Sequence, residues 1–254
     1  LTSIQGDIRF RKVSFRYGND LPFVLKDIDL HIPKGKTYAI MGYTGCGKTT
    51  LINLIPRLYD VSEGVLEIDG RDVRDYPLSV LRKSIGIVPQ ETFLFSDSIA
   101  ANICYGLPEV DRKKMEEAAK IAAFDHDVAQ FTDGYDTVIG ERGITMSGGQ
   151  KQRCSLARAL ATDPPILMLD DSFSAVDTHT EEKILTQLRS VTQQRTSIII
   201  SHRVSTVQSA DCIIVLRDGA VAESGTHEEL VEKGGIYAEL HFKQLLEEEI
   251  QEIN

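Results

Sequence analysis

Gly42-Tyr43-Thr44-Gly45-Cys46-Gly47-Lys48-Thr49-Thr50 is the stretch that decides the fold. It fits G-x-x-x-x-G-K-[ST], the phosphate-binding P-loop. The apolar run Tyr38-Ala39-Ile40-Met41 before it reads as a buried strand, and Leu51-Ile52-Asn53-Leu54-Ile55 after it reads as a helix. Glycines let a backbone turn tightly and approach a phosphate closely. Successive N–H groups then converge on the anion, and the following helix adds its positive dipole end. In that setting Lys48 reaches the β- and γ-phosphates of a nucleotide, and the Thr49 hydroxyl reaches Mg2+. A glycine-rich surface loop is the bland alternative, and the flanking strand and helix weigh against it.

Outward from the loop, Leu25 to Ile32 alternates as a strand, and Pro33-Lys34-Gly35-Lys36 turns into the P-loop strand. Ile8-Arg9-Phe10 and Val13-Ser14-Phe15 read as short half-buried antiparallel strands, interrupted at Arg11-Lys12, and Tyr17-Gly18-Asn19-Asp20 as a turn. Val65 to Ile68 is a strand ending at Asp69-Gly70, and the strand from Ile85 is ended by Pro89. Asp111 to Ala123 places Met115, Ala118, Ala119 and Ala122 on one helical face, within a middle third of helical texture. Ile166 to Leu169, Ser197 to Ile200 and Cys212 to Leu216 are wholly apolar runs separated by helical segments. That pattern predicts a parallel sheet covered on both faces, with ligands at the carboxyl ends of its strands. The P-loop, Asp170 and His202 all fall at such ends. Helices are expected beyond Gly225, with Glu247-Glu248-Glu249 on a solvated face.

The 254 residues carry a net charge of −10 and no block of Lys or Arg, which disfavours non-specific binding to nucleic acid or an anionic membrane. Cys46, Cys104, Cys154 and Cys212 are scattered with no C-x-x-C pair, the usage of a reducing compartment with no zinc site. No apolar run approaches the ~18 residues of a membrane span, and no signal peptide is visible. A start at Leu1 rather than Met suggests a piece of something longer.

Asp170 closes an apolar strand, as a Walker B aspartate does, and beside a P-loop its carboxylate would hold Mg2+. Met146-Ser147-Gly148-Gly149-Gln150-Lys151-Gln152-Arg153 narrows the field. Ser147 and Gln150 have capping-box spacing, so a helix starts here. Two glycines in its first turn cost about 1 kcal/mol each, a loss that makes sense if a ligand approaches the bare N–H groups. Ser147–Gln150, about 100 residues after a P-loop and just before a Walker B strand, resembles the signature of ATP-binding cassette (ABC) ATPases.

The resemblance covers nearly the whole chain. It implies an α/β fold, a RecA-like P-loop NTPase core with an antiparallel β subdomain and an inserted α-helical subdomain. The core and β subdomain would take about 1–88 and 163–254, and the helical subdomain about 89–162. Tyr17 matches the A-loop aromatic that stacks on adenine, Gln90 the Q-loop glutamine that reaches Mg2+, Asp177 the D-loop, and His202 the switch histidine at the γ-phosphate. The bland readings are a packed turn aromatic for Tyr17, a surface amide for Gln90 and a helix N-cap for Asp177, the last compatible with the D-loop role. Gly140-Glu141-Arg142-Gly143 resembles the x-loop of exporter-type domains. Phe93-Leu94-Phe95, with Ser98-Ile99 and Asn102-Ile103, looks like the cleft that receives coupling helices of a membrane domain, against the alternative of helical-lobe core.

Two positions depart from the family pattern. Cys46 stands where Ser is usual, in a loop whose work is mostly backbone. Asp171 stands where the general base is usually Glu, shorter by one methylene, about 1.5 Å, and a ~1 Å misplacement can cost ~10²-fold in rate. The resemblance thus implies an ATP-binding and hydrolysing domain with Mg2+ as cofactor, catalysed by Lys48, Asp171 and His202. It would sit at the cytoplasmic face of a membrane, itself soluble, powering export and dimerising around ATP. Its partners would be a transmembrane domain and a second nucleotide-binding domain, a heterodimer being favoured. The rivals are a soluble ABC ATPase acting on nucleic acid and a nucleotide-binding regulatory subunit with little hydrolysis. The acidic balance and the lack of an inserted coiled coil or zinc module argue against the first.

Overall fold

The computed structural model describes residues 3–140, 145–192 and 195–253, with side chains described for 3–140, 145–188 and 195–247. The chain opens with β1 (Ile8–Phe15), β2 (Leu25–Ile32), β3 (Thr37–Met41), α1 (Lys48–Leu54), β4 (Glu63–Ile68) and β5 (Arg71–Asp72). It continues with α2 (Leu78–Lys83), β6 (Ile85–Val88), α3 (Ile99–Ile103), α4 (Arg112–Ile121), α5 (Asp125–Val128), α6 (Gly148–Ala161) and β7 (Ile166–Asp170). It ends with α7 (Thr178–Thr192), β8 (Thr196–Ile200), α8 (Val204–Val207), β9 (Cys212–Arg217), β10 (Ala220–Gly225), α9 (His227–Lys233) and α10 (Ile236–Ile253). These elements form two units, Leu1–Arg82 with Thr196–Asn254, and Lys83–Arg195.

In the first unit, an antiparallel sheet runs β2-β1-β4-β5. The two half-strands expected at its start are one strand, β1, whose register against β2 shifts between Phe10 and Val13. Lys12 sits there with φ 47°, so Arg11-Lys12 is a bulge that re-phases the alternation rather than a break. The P-loop strand β3 pairs in parallel with β8 and β9, as the apolar runs predicted. β10 was not foreseen. It returns antiparallel on β9 through Asp218-Gly219, both at positive φ, a hairpin that an Asp-Gly pair favours. Ala39, Met41, Ile213 and Val215 of the sheet pack against Val204 and Val207 of α8 and against Leu230 and Tyr237.

In the second unit, β6 and β7 pair in parallel. A Cβ at Gly86 would lie 2.7 Å from Pro164 Cγ and 3.0 Å from the Ala159 carbonyl, so only glycine lets β6 approach the end of α6 this closely. Asp111 caps α4 by accepting from Lys114 N–H, and Met115, Ala118 and Ala119 are buried, the face read from the sequence. Arg158 of α6 donates to the Asn102 carbonyl at 2.8 Å, to Asn102 Oδ1 at 2.7 Å and to the Phe93 carbonyl at 2.9 Å. Burial holds its guanidinium below the usual arginine range.

Candidate functional site

The P-loop joins β3 to α1 through Gly42, Gly45 and Gly47, at φ 145°, 83° and 105°. The three glycines serve different ends. A Cβ on Gly42 would overlap the Leu216 carbonyl, and one on Gly47 would lie 2.8 Å from Leu25 Cδ2. Those two let the loop pack into its own unit. Gly45 has open space beside it and is exposed, the freedom that close approach of an anion requires. Gly47 occupies the N-cap of α1 and offers no side-chain acceptor to the first-turn N–H groups. Lys48 is buried, and its ammonium donates to the Gly42 carbonyl at 2.8 Å and the Tyr43 carbonyl at 3.0 Å, with Cys46 Sγ at 3.9 Å. Its charge is thereby held inside the loop. A cleft of about 380 Å³ adjoins the loop, bounded by Tyr43, Thr44, Gly45, Cys46, Arg217, Asp218, Ile236 and Glu239. The loop therefore fits a phosphate chain.

Tyr17 lies in the same unit, half exposed, edge-on to Phe15 and Tyr59 at ring separations of 4.9 and 5.1 Å. Its hydroxyl meets Thr50 Oγ1 at 2.9 Å, which ties it to the first turn of α1. Thr49 is exposed, and His202 is exposed just beyond β8. The structure thus groups Tyr17, Gly42–Thr50 and His202 in the first unit. Gln90, Ser147–Gln150, Asp170, Asp171 and Asp177 belong to the second.

In the second unit, Asp170 is the buried last residue of β7, and Asp171 follows at φ 45°. Ser172 Oγ then donates to the Val88 carbonyl at 3.1 Å, holding the chain to the end of β6. Gln90 is exposed two residues beyond that end. The capping box forms as its spacing predicts: Gln150 N–H donates to Ser147 Oγ at 3.2 Å and Ser147 N–H to Gln150 Oε1 at 2.9 Å.

The signature glycines also serve packing: a Cβ on Gly149 would lie 2.8 Å from the Ala175 carbonyl, and one on Gly148 3.1 Å from Ala175 Cβ. Close packing against the 174–175 backbone already requires Gly149. Gln152, which the sequence did not single out, braces that segment: its Nε2 donates to Ser174 Oγ at 2.9 Å, and its Oε1 accepts from Ala175 N–H at 3.0 Å. Asp127 likewise anchors the helix start, accepting from Gln150 Nε2 at 3.0 Å and Arg153 Nη2 at 2.7 Å. Asp177 accepts from Thr180 N–H at 2.9 Å, and that backbone bond holds its carboxyl below the usual range.

Phe93 is exposed and Phe95 stacks on Tyr105 at 4.5 Å. They border a groove of about 390 Å³ with Thr92, Leu94, Ile139, Gly140, Thr145, Met146 and Lys151. Of the x-loop stretch, Glu141, Arg142 and Gly143 lie outside the described residues. Among the described residues, no three His, Cys, Asp or Glu cluster as a metal site, and no helix is long and apolar enough to cross a membrane. Thr49 of the first unit carries a hydroxyl, and Gln90 and Asp170 of the second an amide and a carboxylate, each an oxygen donor of the kind Mg2+ takes.

The family model described as ABC transporter matches residues 25–174. The chain belongs to the ABC transporter family. It is 46% identical to an ATP-dependent lipid A-core flippase of Chromohalobacter salexigens, over 97% of this chain and 42% of that protein. It is also 46% identical to the flippase of that name from Escherichia coli, over 94% of this chain and 41% of that protein. The structure of a bacterial Atm1-family ABC exporter with ATP bound superposes with a TM-score of 0.92 at 42% identity, covering 96% of this chain and 43% of that one. The chain thus spans about two fifths of the length of these ABC relatives. Its fold is the P-loop NTPase fold of an ABC nucleotide-binding domain.

Proposed function

We propose that this ABC domain binds and hydrolyses Mg-ATP and so powers export through a transmembrane domain, at the cytoplasmic face of a membrane. The observation that carries the reading is the P-loop, with Lys48 held inside it and Gly45 open to approach. In this reading Tyr17 stacks on the base, Gly42–Thr50 cradle the phosphates, and Thr49, Gln90 and Asp170 hold Mg2+. Mg2+ held there would offset the charge of the phosphate chain. Asp171 accepts a proton from the attacking water, and His202 contacts the γ-phosphate. Ser147–Gln150 and Asp177 face the nucleotide of a second domain. The groove at Phe93 and Phe95 receives the coupling helices, which suits an exposed aromatic beside apolar walls. The helical subdomain is placed at about 89–162. Nucleic acid has no part, in keeping with the acidic balance.

Asp171 favours a finer reading, in which this domain is the slower half of a heterodimer. The same residue supports a second reading, a regulatory subunit with little hydrolysis. The experiment is calorimetric titration of the chain and of Lys48→Ala with Mg-ATP. Lys48→Ala should bind far more weakly, because a charge-assisted phosphate contact is lost. Equal affinity for the two would overturn the reading.

A further inference from the structure

α8 is a single turn with no cap of its own. Arg203 occupies its N-cap position and makes no side-chain capping bond. A helix start leaves N–H groups without intrahelical acceptors, which Ser, Thr, Asp or Asn usually meets locally. Here the acceptor lies 40 residues away: Val204 N–H donates to Gln244 Oε1 on α10 at 2.8 Å. The other end of the same amide, Gln244 Nε2, donates to the carbonyl of His202. Gln244 thus grips the backbone on both sides of Arg203. From within the loop, the buried Ser201 Oγ accepts from Arg203 N–H at 3.0 Å. α10 is itself pinned, because the buried Glu223 carboxylate accepts from Ile236 N–H at 2.7 Å and Tyr237 N–H at 3.1 Å at its first turn.

We infer that Gln244 is a positioning residue for His202. Its amide fixes the backbone from which the imidazole is presented to the γ-phosphate, so the switch loop moves with α10 as one body. The inference rests on the proposed role of His202. The chemistry is specific to an amide. Glutamate in its place still accepts from Val204 N–H and caps α8, but it meets the His202 carbonyl with an oxygen that cannot donate.

The test is Mg-ATP turnover by the whole chain, with residual rates taken from single-turnover reactions, in Gln244→Ala, Gln244→Glu, His202→Ala and the double variant. Gln244→Ala should lower kcat roughly tenfold, as a displaced catalytic contact does, and change KM for ATP less than about twofold. Gln244→Glu should fall at least as far despite keeping the cap, since it loses the donor and adds a negative charge, and it carries the test if the alanine variant does not fold. In the His202→Ala background, Gln244→Ala should lower turnover no further. An equal loss in both backgrounds, or a parental kcat in Gln244→Ala and Gln244→Glu while His202→Ala is impaired, overturns the tether alone. Parental turnover in His202→Ala overturns the reading of His202 and the tether with it.

Discussion

Gly149→Ala separates helix propensity from tertiary packing at the signature helix. Propensity alone favours the change, since alanine is better than glycine inside a helix by about 1 kcal/mol. The structure opposes it. The new Cβ would lie 2.8 Å from the Ala175 carbonyl oxygen and 3.3 Å from Arg153 Nη1. The first is a backbone atom, so relief requires the 174–175 segment to retreat by roughly 0.6 Å to reach ordinary contact. Overpacking of this kind costs about 1–3 kcal/mol. The retreat also stretches the bonds from Gln152 to Ser174 and Ala175, now 2.9 and 3.0 Å. Each is worth about 1 kcal/mol. The net expectation is destabilisation of about 1–3 kcal/mol, where propensity predicts a gain. Denaturant unfolding with a shifted midpoint at unchanged m-value reads it out. A midpoint that rises by the equivalent of ~1 kcal/mol would refute the packing argument, because the glycine would then be expendable to the fold.

Tyr17→Phe loses only the bond to Thr50 Oγ1 and keeps the ring packed on Phe15 and Tyr59, so ATP affinity should stay near parental, while Tyr17→Ala should lose roughly tenfold or more. Parental calorimetric affinity in both variants would reduce Tyr17 to a turn aromatic. The Asp177 carboxyl is held below its ordinary 3.8 by Thr180 N–H, so its stabilising effect is present above that value and fades as pH falls through the lower folded value. Asp177→Asn should therefore show a flatter unfolding midpoint between roughly pH 5 and pH 2, and parallel curves would deny the effect. Asp171→Glu should raise turnover at this domain's own P-loop. If it adds nothing while Asp171→Asn abolishes turnover, Asp171 is already an adequate base.

The elements legible in the sequence were those with local causes. Three glycines with a lysine, between an apolar strand and a helix, need no distant partner to be read. Neither does the Ser147–Gln150 box, whose two bonds close within four residues. β7, β8 and β9 showed as unbroken apolar runs because nearly all of their residues are buried. β1 was split because a bulge at Lys12 imitates a break in alternation. β10 was missed because Ala-Val-Ala-Glu-Ser-Gly has no bulky alternating face, although Asp218-Gly219 signalled the hairpin. Gln152, Asp127 and Gln244 were invisible because each acts on residues 20 or more positions away. No local pattern records such a partner.

Apart from Asp127, whose charge Arg153 offsets at 2.7 Å, several contacts of this kind share a chemistry. Gln152 holds Ser174 and Ala175, and Gln150 joins Ser147 N–H to Asp127. The buried Asn102 accepts from Phe95 N–H at 2.9 Å and donates to the Phe95 carbonyl at 3.0 Å. Gln244 does the same across Arg203. In each case one neutral amide uses both its donor and its acceptor to fix a turn beside a proposed contact surface. An ionised carboxylate could only accept there, and an ammonium could only donate. Either would also leave a net charge. A unit charge about 8 Å from a phosphate shifts its energy by about 2 kcal/mol at an effective dielectric of ~20. That exceeds the ~1 kcal/mol a single neutral hydrogen bond contributes. Beside a site for a polyanion, an amide therefore fixes the backbone without taxing the ligand. The near-isosteric change to an acid should then cost most at the amide nearest the phosphates and only one hydrogen bond's worth at the most distant.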